Sequence, residues 1–309
     1  MSLEKFENAL IEYSDNAGKS KFFVRRDYSM KRITSFRVGG DADMVVYPGD
    51  AKAFAYALKL VKELDIPFIV IGNGSNTLAS DKGFRGVVFV TTNMRYVNID
   101  GEYMTVGCGC LLGSVGTNAS TAGLSGAEFA NGIPGTLGGA VYMNAGAYGG
   151  QMSDIVVSTE CYDLDSGEFL TLESADHKFG YRHSIFMEKN YIILSSKLKL
   201  NFGNTDDIRA KMSELLKCRR EKQPLEYPSA GSVFKRPEGY FAGKLIEDAG
   251  LKGTKIGGAM VSPKHAGFIV NVGDATANDI LSLIDLIKKK VYSQFSVELE
   301  CEIRFVGEK

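Results

Sequence analysis

The sequence predicts an α+β fold. Strand and helix patterns interleave along the 309 residues without a steady βαβ rhythm. Turn signals such as Asp100-Gly101 and Asp165-Ser166-Gly167 mark frequent β-hairpins. No strand–GxGxxG–helix fingerprint is present. Gly107-Cys108-Gly109 continues at the wrong spacing, and no acidic ribose partner follows in the expected setting. Neither a doubly wound dinucleotide fold nor, since GxxxxGK[ST] is absent, a P-loop is expected.

The elements follow in order. Asp50 to Asp65 reads as a helix with an aspartate cap and Phe54, Ala57, Leu58, Val61 and Leu64 on one face. Pro67 ends it, and the apolar strand 68–71 leads into Gly72-Asn73-Gly74-Ser75-Asn76. Gly86–Val90 is a short strand. Val97–Ile99 and Tyr103–Val106 pair across Asp100-Gly101. Leu111 to Ala122 is a helix closed by Gly123. Ile155–Leu164 and Glu168–Leu172 form a second hairpin, and Tyr191–Leu200 is a long strand. Helical patterns return at 206–222 and 278–295. Ser296–Val306 alternates and reads as a final strand, with Val297, Leu299, Cys301, Ile303 and Phe305 on one face. A composition shift at 201–206 suggests a boundary between an N-terminal two-thirds and a C-terminal third.

Bulk properties exclude some functions. Hydrophobic residues make up 44% and charged residues 24%, as in ordinary globular proteins. A net charge of −1 draws the chain to neither nucleic acid nor anionic membrane. No apolar stretch is long enough to insert in a membrane and no signal peptide is visible, so the cytoplasm is the default compartment. Five scattered cysteines suit a reducing environment. Cys108-Gly-Cys110 has no second pair to complete a metal site, so no metal is expected. Nothing marks an obligate protein partner.

The chemistry concentrates in four places. From Gly132 to Gly149 the chain reads GIPGTLGGAVYMNAGAYG, rich in glycine and without charge. Such a run brings backbone close to something and can cradle an anion with N–H groups alone. With GNGSN it suggests a large phosphate-bearing cofactor, with Ser75, Asn76 and Thr136 adding donors. The plainer alternative is a pair of tight turns. Second, Tyr227–Pro237 places Ser232, Lys235 and Arg236 after a turn of small residues. The serine could deliver a proton while the cations hold anionic oxygen; solvated turn residues are the alternative. Third, Arg182 lies among aromatics, suited to a bidentate grip on a carboxylate or else stacked on Tyr181 at the surface. Fourth, Glu302 lies on the polar face of the last strand.

Together these segments resemble the UDP-N-acetylenolpyruvoylglucosamine reductase (MurB) family. The likeness runs over Thr34–Gly40, Gly72–Asn76, Gly132–Tyr148, Tyr181-Arg182, Gly231–Lys235, Lys264–Asn271 and Glu302–Arg304. It implies an FAD-binding domain of the PCMH/vanillyl-alcohol-oxidase type in two α/β lobes, residues 1–85 and 86–203, and an α+β substrate-binding domain, 204–309. The cofactor implied is non-covalent FAD. NADPH is the co-substrate and UDP-N-acetylglucosamine enolpyruvate the substrate.

By the same resemblance Ser232 is the proton donor, and Arg182 and Glu302 act on the carboxylate side. The cofactor-binding positions are Gly72, Asn73, Gly74, Ser75, Asn76, Gly132, Ile133, Pro134, Gly135, Thr136, Gly138, Gly139, Asn144, Ala145, Gly146 and Tyr148. Lys235 and Arg236 are the candidates for substrate phosphate. Arg236 stands where the family often has Asn, and only 50 positions separate Arg182 from Ser232. Both suggest the shorter subgroup, which lacks a tyrosine-bearing substrate loop. An FAD-dependent alcohol or sugar oxidase of the same superfamily is the alternative. Neither glycine segment contains a histidine, which excludes a histidine–flavin tether there. A non-enzymatic nucleotide-binding module would leave Arg182, Ser232 and Glu302 without a purpose.

Overall fold

The computed structural model describes residues 2–17 and 21–308. They form two compact units that interleave in sequence. Among the described residues the first holds 2–17, 21–26, 44–73 and 86–217, and the second 27–43, 74–85 and 218–308. The segments 27–43 and 74–85, within the expected first lobe, thus belong with the C-terminal third. The chain passes finally into the second unit inside a helix, between Lys217 and Cys218.

The helices and the first strands follow one another in chain order. They are α1 (Ser2–Asn16), β1 (Phe22–Ser29), β2 (Asp41–Pro48), α2 (Ala51–Glu63), β3 (Phe68–Ile71), β4 (Thr77–Ala79) and β5 (Phe84–Val90). After them come β6 (Val97–Asp100), β7 (Tyr103–Gly107), α3 (Leu112–Thr121), α4 (Leu137–Met143), α5 (Thr205–Lys222), α6 (Ala242–Asp248) and α7 (Ala277–Phe295).

The first unit is built on two sheets. One has the order β1-β2-β5-β3, with β3 and β5 parallel. The other is antiparallel: strand 169–173, strand 156–163, strand 191–199, β7, then β6. Both expected hairpins are present. Asp50 caps α2 by accepting from the Ala53 N–H at 2.9 Å. The buried face of α2 carries Phe54, Ala57, Leu58 and Val61, the period that sequence predicts. Phe54 lies 5.3 Å from Phe89 of β5, which also meets Phe6 of α1 and Phe68 of β3. Burying one such ring stabilises by roughly 1.5–3 kcal/mol. The polar N-terminal segment therefore folds as an amphipathic helix, α1, with Phe6 and Leu10 buried. Its two anchors are too few to stand out by periodicity.

The second unit packs α6 and α7 with a three-stranded antiparallel sheet of residues 255–256, 259–261 and 269–271. Its core includes Phe36, Leu78, Val233, Ile246, Ile280, Leu283 and Ile287. Thr276 and Asp279 form a capping box at the start of α7. Asp81 reinforces it, accepting from the N–H groups of Ala277 (2.7 Å) and Asn278 (3.0 Å).

The expected final strand 296–306 is not continuous. Only Arg304–Val306 forms a strand, parallel to β4. Upstream, Phe234 and Cys301 make an isolated antiparallel bridge. Glu302 N–H donates to Val233 O at 2.8 Å, and Arg304 N–H to Asn76 O at 2.9 Å. The segment changes partner between Glu302 and Arg304, and that change interrupts the ladder. The alternation survives in burial: Leu299 and Ile303 are buried, Glu298 and Glu300 exposed.

Candidate active site

In the first unit the two glycine segments meet. Gly72 follows β3, and a Cβ built on it would lie 2.0 Å from Thr136 Oγ1. Asn73 Nδ2 donates to Pro134 O at 3.1 Å. Thr136 is 1% exposed and caps α4, accepting from Gly139 N–H at 3.5 Å. Glycine is required at 72 because the second segment leaves no room for a side chain.

The amides that open α4 are partly committed inside the protein. Leu137 N–H donates to Cys110 O at 2.8 Å and Gly138 N–H to Cys108 O at 2.9 Å. The CxC pair thus contributes main chain to this loop. Desolvation pushes the buried Cys108 thiol up to about 12, so it stays protonated. All five cysteines are unpaired thiols. Among the described residues no group of three or more His, Cys, Asp or Glu is placed to hold a metal ion.

Gly139 differs from Gly72. A Cβ there would lie 3.6 Å from Thr136 Oγ1, an ordinary contact. The protein's own packing does not demand glycine at 139. A bare backbone in an uncharged segment is what close approach of a bulky anionic cofactor requires. The bare, uncharged backbone here therefore fits FAD.

Past α4 the backbone is strained at three candidate positions: Asn144 (φ +43°), Tyr148 (φ +54°) and Arg182 (φ +52°). Positive φ is uncommon for non-glycine residues and clusters at functional sites. Ala147 and Gly150 pair across Tyr148-Gly149, so Tyr148 stands at the tip of a two-residue hairpin, 43% exposed. Arg182 Nη2 donates to Gly146 O at 3.2 Å, and its guanidinium lies 5.2 Å from the Tyr181 ring centre. Asn144 is 2% exposed and spends its side chain internally, donating to Gly180 O and accepting from Ser153 N–H.

In the second unit, Gly74 takes φ +59°, and a Cβ there would lie 2.1 Å from Ile33 O. Ser35 N–H donates to Gly74 O at 3.1 Å, and Ser35 Oγ to Ser229 O at 2.6 Å. Asn76 Nδ2 donates to Glu302 O at 3.1 Å. Ser232 follows Gly231 (φ +76°) and bridges to Phe268. Val233 O holds the Glu302 main chain, so Ser232 and Glu302 belong to neighbouring, hydrogen-bonded segments. Lys235 pairs with Glu300 at 2.5 Å, and Arg236 lies 3.9 Å over the Phe241 ring. Asn76, expected from its glycine-rich segment to donate to a cofactor, instead spends its amide on Glu302 O, and only the resemblance pointed to the segment that carries Ser35.

Comparison with known proteins decides the family. Residues 42–173 match the FAD binding domain family. Residues 223–306 match the UDP-N-acetylenolpyruvoylglucosamine reductase C-terminal domain. The UDP-N-acetylenolpyruvoylglucosamine reductase of Caldanaerobacter subterraneus subsp. tengcongensis is 50% identical over 280 residues, covering 91% of this chain and 92% of its own. That of Clostridioides difficile is 50% identical over 290 residues, covering 94% and 95%.

The chain belongs to the UDP-N-acetylenolpyruvoylglucosamine reductase family.

The crystal structure of the family's Thermus caldophilus enzyme superposes with a TM-score of 0.79 at 35% identity, covering 92% of this chain and 99% of that one. The α+β, PCMH-type reading of the fold stands with it. In family terms the FAD-binding match takes in Gly72–Asn76 and Gly132–Tyr148. The C-terminal match takes in Ser232, Lys235, Arg236 and Glu302. Arg182 lies between the two matched stretches.

Proposed function

We propose that the protein is an NADPH-dependent flavoenzyme that reduces UDP-N-acetylglucosamine enolpyruvate to UDP-N-acetylmuramate, a peptidoglycan precursor. The observation that carries this reading is the 50% identity to reductases of that name over more than nine-tenths of the chain. Gly72 to Asn76 and Gly132 to Tyr148 would hold FAD. Bound FAD would supply the two-electron chemistry, taking hydride from NADPH and giving it to C3 of the enol ether.

The chain's own residues manage the charge and the proton. Hydride addition at C3 places negative charge on C2, conjugated with the carboxylate. Arg182 offers a permanent cation to that developing charge. Removing such a preorganised donor typically costs roughly 10²–10³ in rate. Ser232 delivers the proton to C2. A serine hydroxyl is a feeble acid, but a carbanion is a very strong base, so placement outweighs pKa. Glu302 acts protonated, donating to the substrate carboxylate. Lys235, with Arg236 second, contacts phosphate of the substrate or NADPH. The reaction takes place in the cytoplasm, where unpaired cysteines persist.

An anaerobic visible spectrum tests the reading. NADPH should bleach a flavin band, and the enolpyruvate substrate should restore it. Bleaching without restoration would retain a flavoenzyme but move its substrate elsewhere. A protein that stays colourless after incubation with FAD would refute the reading of both glycine segments.

A further inference from the structure

Side-chain hydrogen bonds join residues 180, 182 and 184 to residues 144, 146 and 142. Ser184 Oγ donates to Tyr142 O at 2.7 Å, Asn144 Nδ2 to Gly180 O at 3.0 Å, and Arg182 Nη2 to Gly146 O at 3.2 Å. The two outer joints are buried: Ser184 is 0% and Asn144 2% exposed. Between them the chain makes a tight turn, with Gly180 and His183 exchanging main-chain hydrogen bonds at 3.1 and 3.3 Å. Arg182 occupies that turn in a left-handed conformation, which the surrounding structure must impose.

We propose that Ser184 and Asn144 are positioning residues for Arg182, fixing the orientation of its guanidinium toward the carboxylate of the reaction's substrate and product. The proposal rests on the carboxylate role given to Arg182 above. Bidentate recognition depends on the plane of the guanidinium, so an arginine on a loose turn would lose affinity to rotamer entropy. The two outer joints remove that freedom at the backbone. Ser184 also has a local reason to be there. Tyr142 O belongs to the last turn of α4, where carbonyls lack intrahelical partners. One hydroxyl therefore completes the helix and anchors one foot of the Arg182 turn. Asn144 anchors the other foot and ties it to Ser153 N–H at 2.9 Å.

Calorimetry on the full, FAD-loaded chain separates positioning from general support. UDP-N-acetylmuramate carries a carboxylate and UDP-N-acetylglucosamine does not. Ser184→Ala should weaken binding of the first up to about tenfold, the cost of ordering a side chain that the fold no longer holds, and leave the second within about twofold. In an Arg182→Lys background, Ser184→Ala should cause little further loss, because both changes remove one interaction. Equal loss for both nucleotides, or additive loss with Arg182→Lys, would overturn the positioning role. Ser184→Cys gives the same comparison if Ser184→Ala does not fold, since it fills the same space with a much weaker donor to Tyr142 O. Wild-type protein that binds both nucleotides equally would overturn the role of Arg182 itself, and this proposal with it.

Discussion

Gly72 and Thr136, 64 positions apart, approach so closely that a Cβ on Gly72 would lie 2.0 Å from the threonine hydroxyl and 3.1 Å from its Cβ. The contact joins the two segments proposed to hold FAD. Gly72→Ala should destabilise the protein by about 1–3 kcal/mol through overpacking. The same change should cost less in a Thr136→Ala background, where the obstructing oxygen is gone. Urea denaturation of the four variants measures the coupling, and strictly additive losses would show that the contact is not the cause.

Lys235 and Glu300 make an ion pair in which Lys235 is largely covered and Glu300 is 72% exposed. If Lys235 contacts phosphate, Glu300 competes for it. An exposed pair contributes roughly 0.2–1 kcal/mol, so Glu300→Gln should tighten the phosphate-bearing ligand by at most about fivefold. Lys235→Gln should weaken it. The KM values for NADPH and for the enolpyruvate substrate show which ligand Lys235 serves. If neither falls in Glu300→Gln, the phosphate role goes to Arg236 or elsewhere.

His177 is fully buried, stacked on Phe179 with ring centres 4.8 Å apart. Its Nδ1 faces Glu173 O at 2.9 Å, which can only accept, so Nδ1 carries the proton of the neutral ring. Its Nε2 then accepts from Thr159 Oγ1 at 2.8 Å, which in turn meets Ser196 Oγ at 2.8 Å. Desolvation holds the imidazole below its ordinary value of 6.5, against smaller opposing contributions from the Glu173 and Ser174 main chain and from Asp176 and Glu173. Burial acts the same way on His265. The folded state therefore binds fewer protons than the unfolded chain. Each histidine's contribution is fully present above about pH 6.5 and is lost as pH falls through the lower folded value. His177→Gln should flatten the decline of stability below pH 6.5. An unchanged slope in urea titrations at several pH values would place the acid sensitivity in other groups.

Much of this was readable in the chain because strong local chemistry agreed with the fold. Asp50 before an amphipathic run, Pro67 after it, and Asp100-Gly101 between two strands each decide a conformation within a few residues. The last strand is broken where alternation predicts continuity, because alternation reports burial, whereas the ladder depends on partners more than 60 and 220 residues away, at Phe234 and Thr77. The interleaving of the two units has the same cause, since β4 pairs with Arg304–Val306. Arg182 stood out by its aromatic neighbours. Ser184 did not, and Asn144 was expected to meet a cofactor and not the Arg182 turn, because a side chain bonding a remote carbonyl leaves no periodic trace.

Ser232 separates the two halves of the proposed reaction. Reduction by NADPH needs no proton from it, whereas quenching of the C2 carbanion does. Ser232→Ala should bleach normally with NADPH but recover its flavin band on adding the enolpyruvate substrate about 10²-fold or more slowly, the scale of a lost general acid. Glu302→Gln provides the contrast. A glutamine still donates a hydrogen bond but cannot titrate, so it should bind the substrate carboxylate while losing the pH dependence that a protonated glutamate confers. Near-normal turnover by Glu302→Gln would remove any essential proton role for that residue. Equal damage to both half-reactions in Ser232→Ala would make Ser232 structural, which its place between Gly231 at φ +76° and the buried Val233 would then explain.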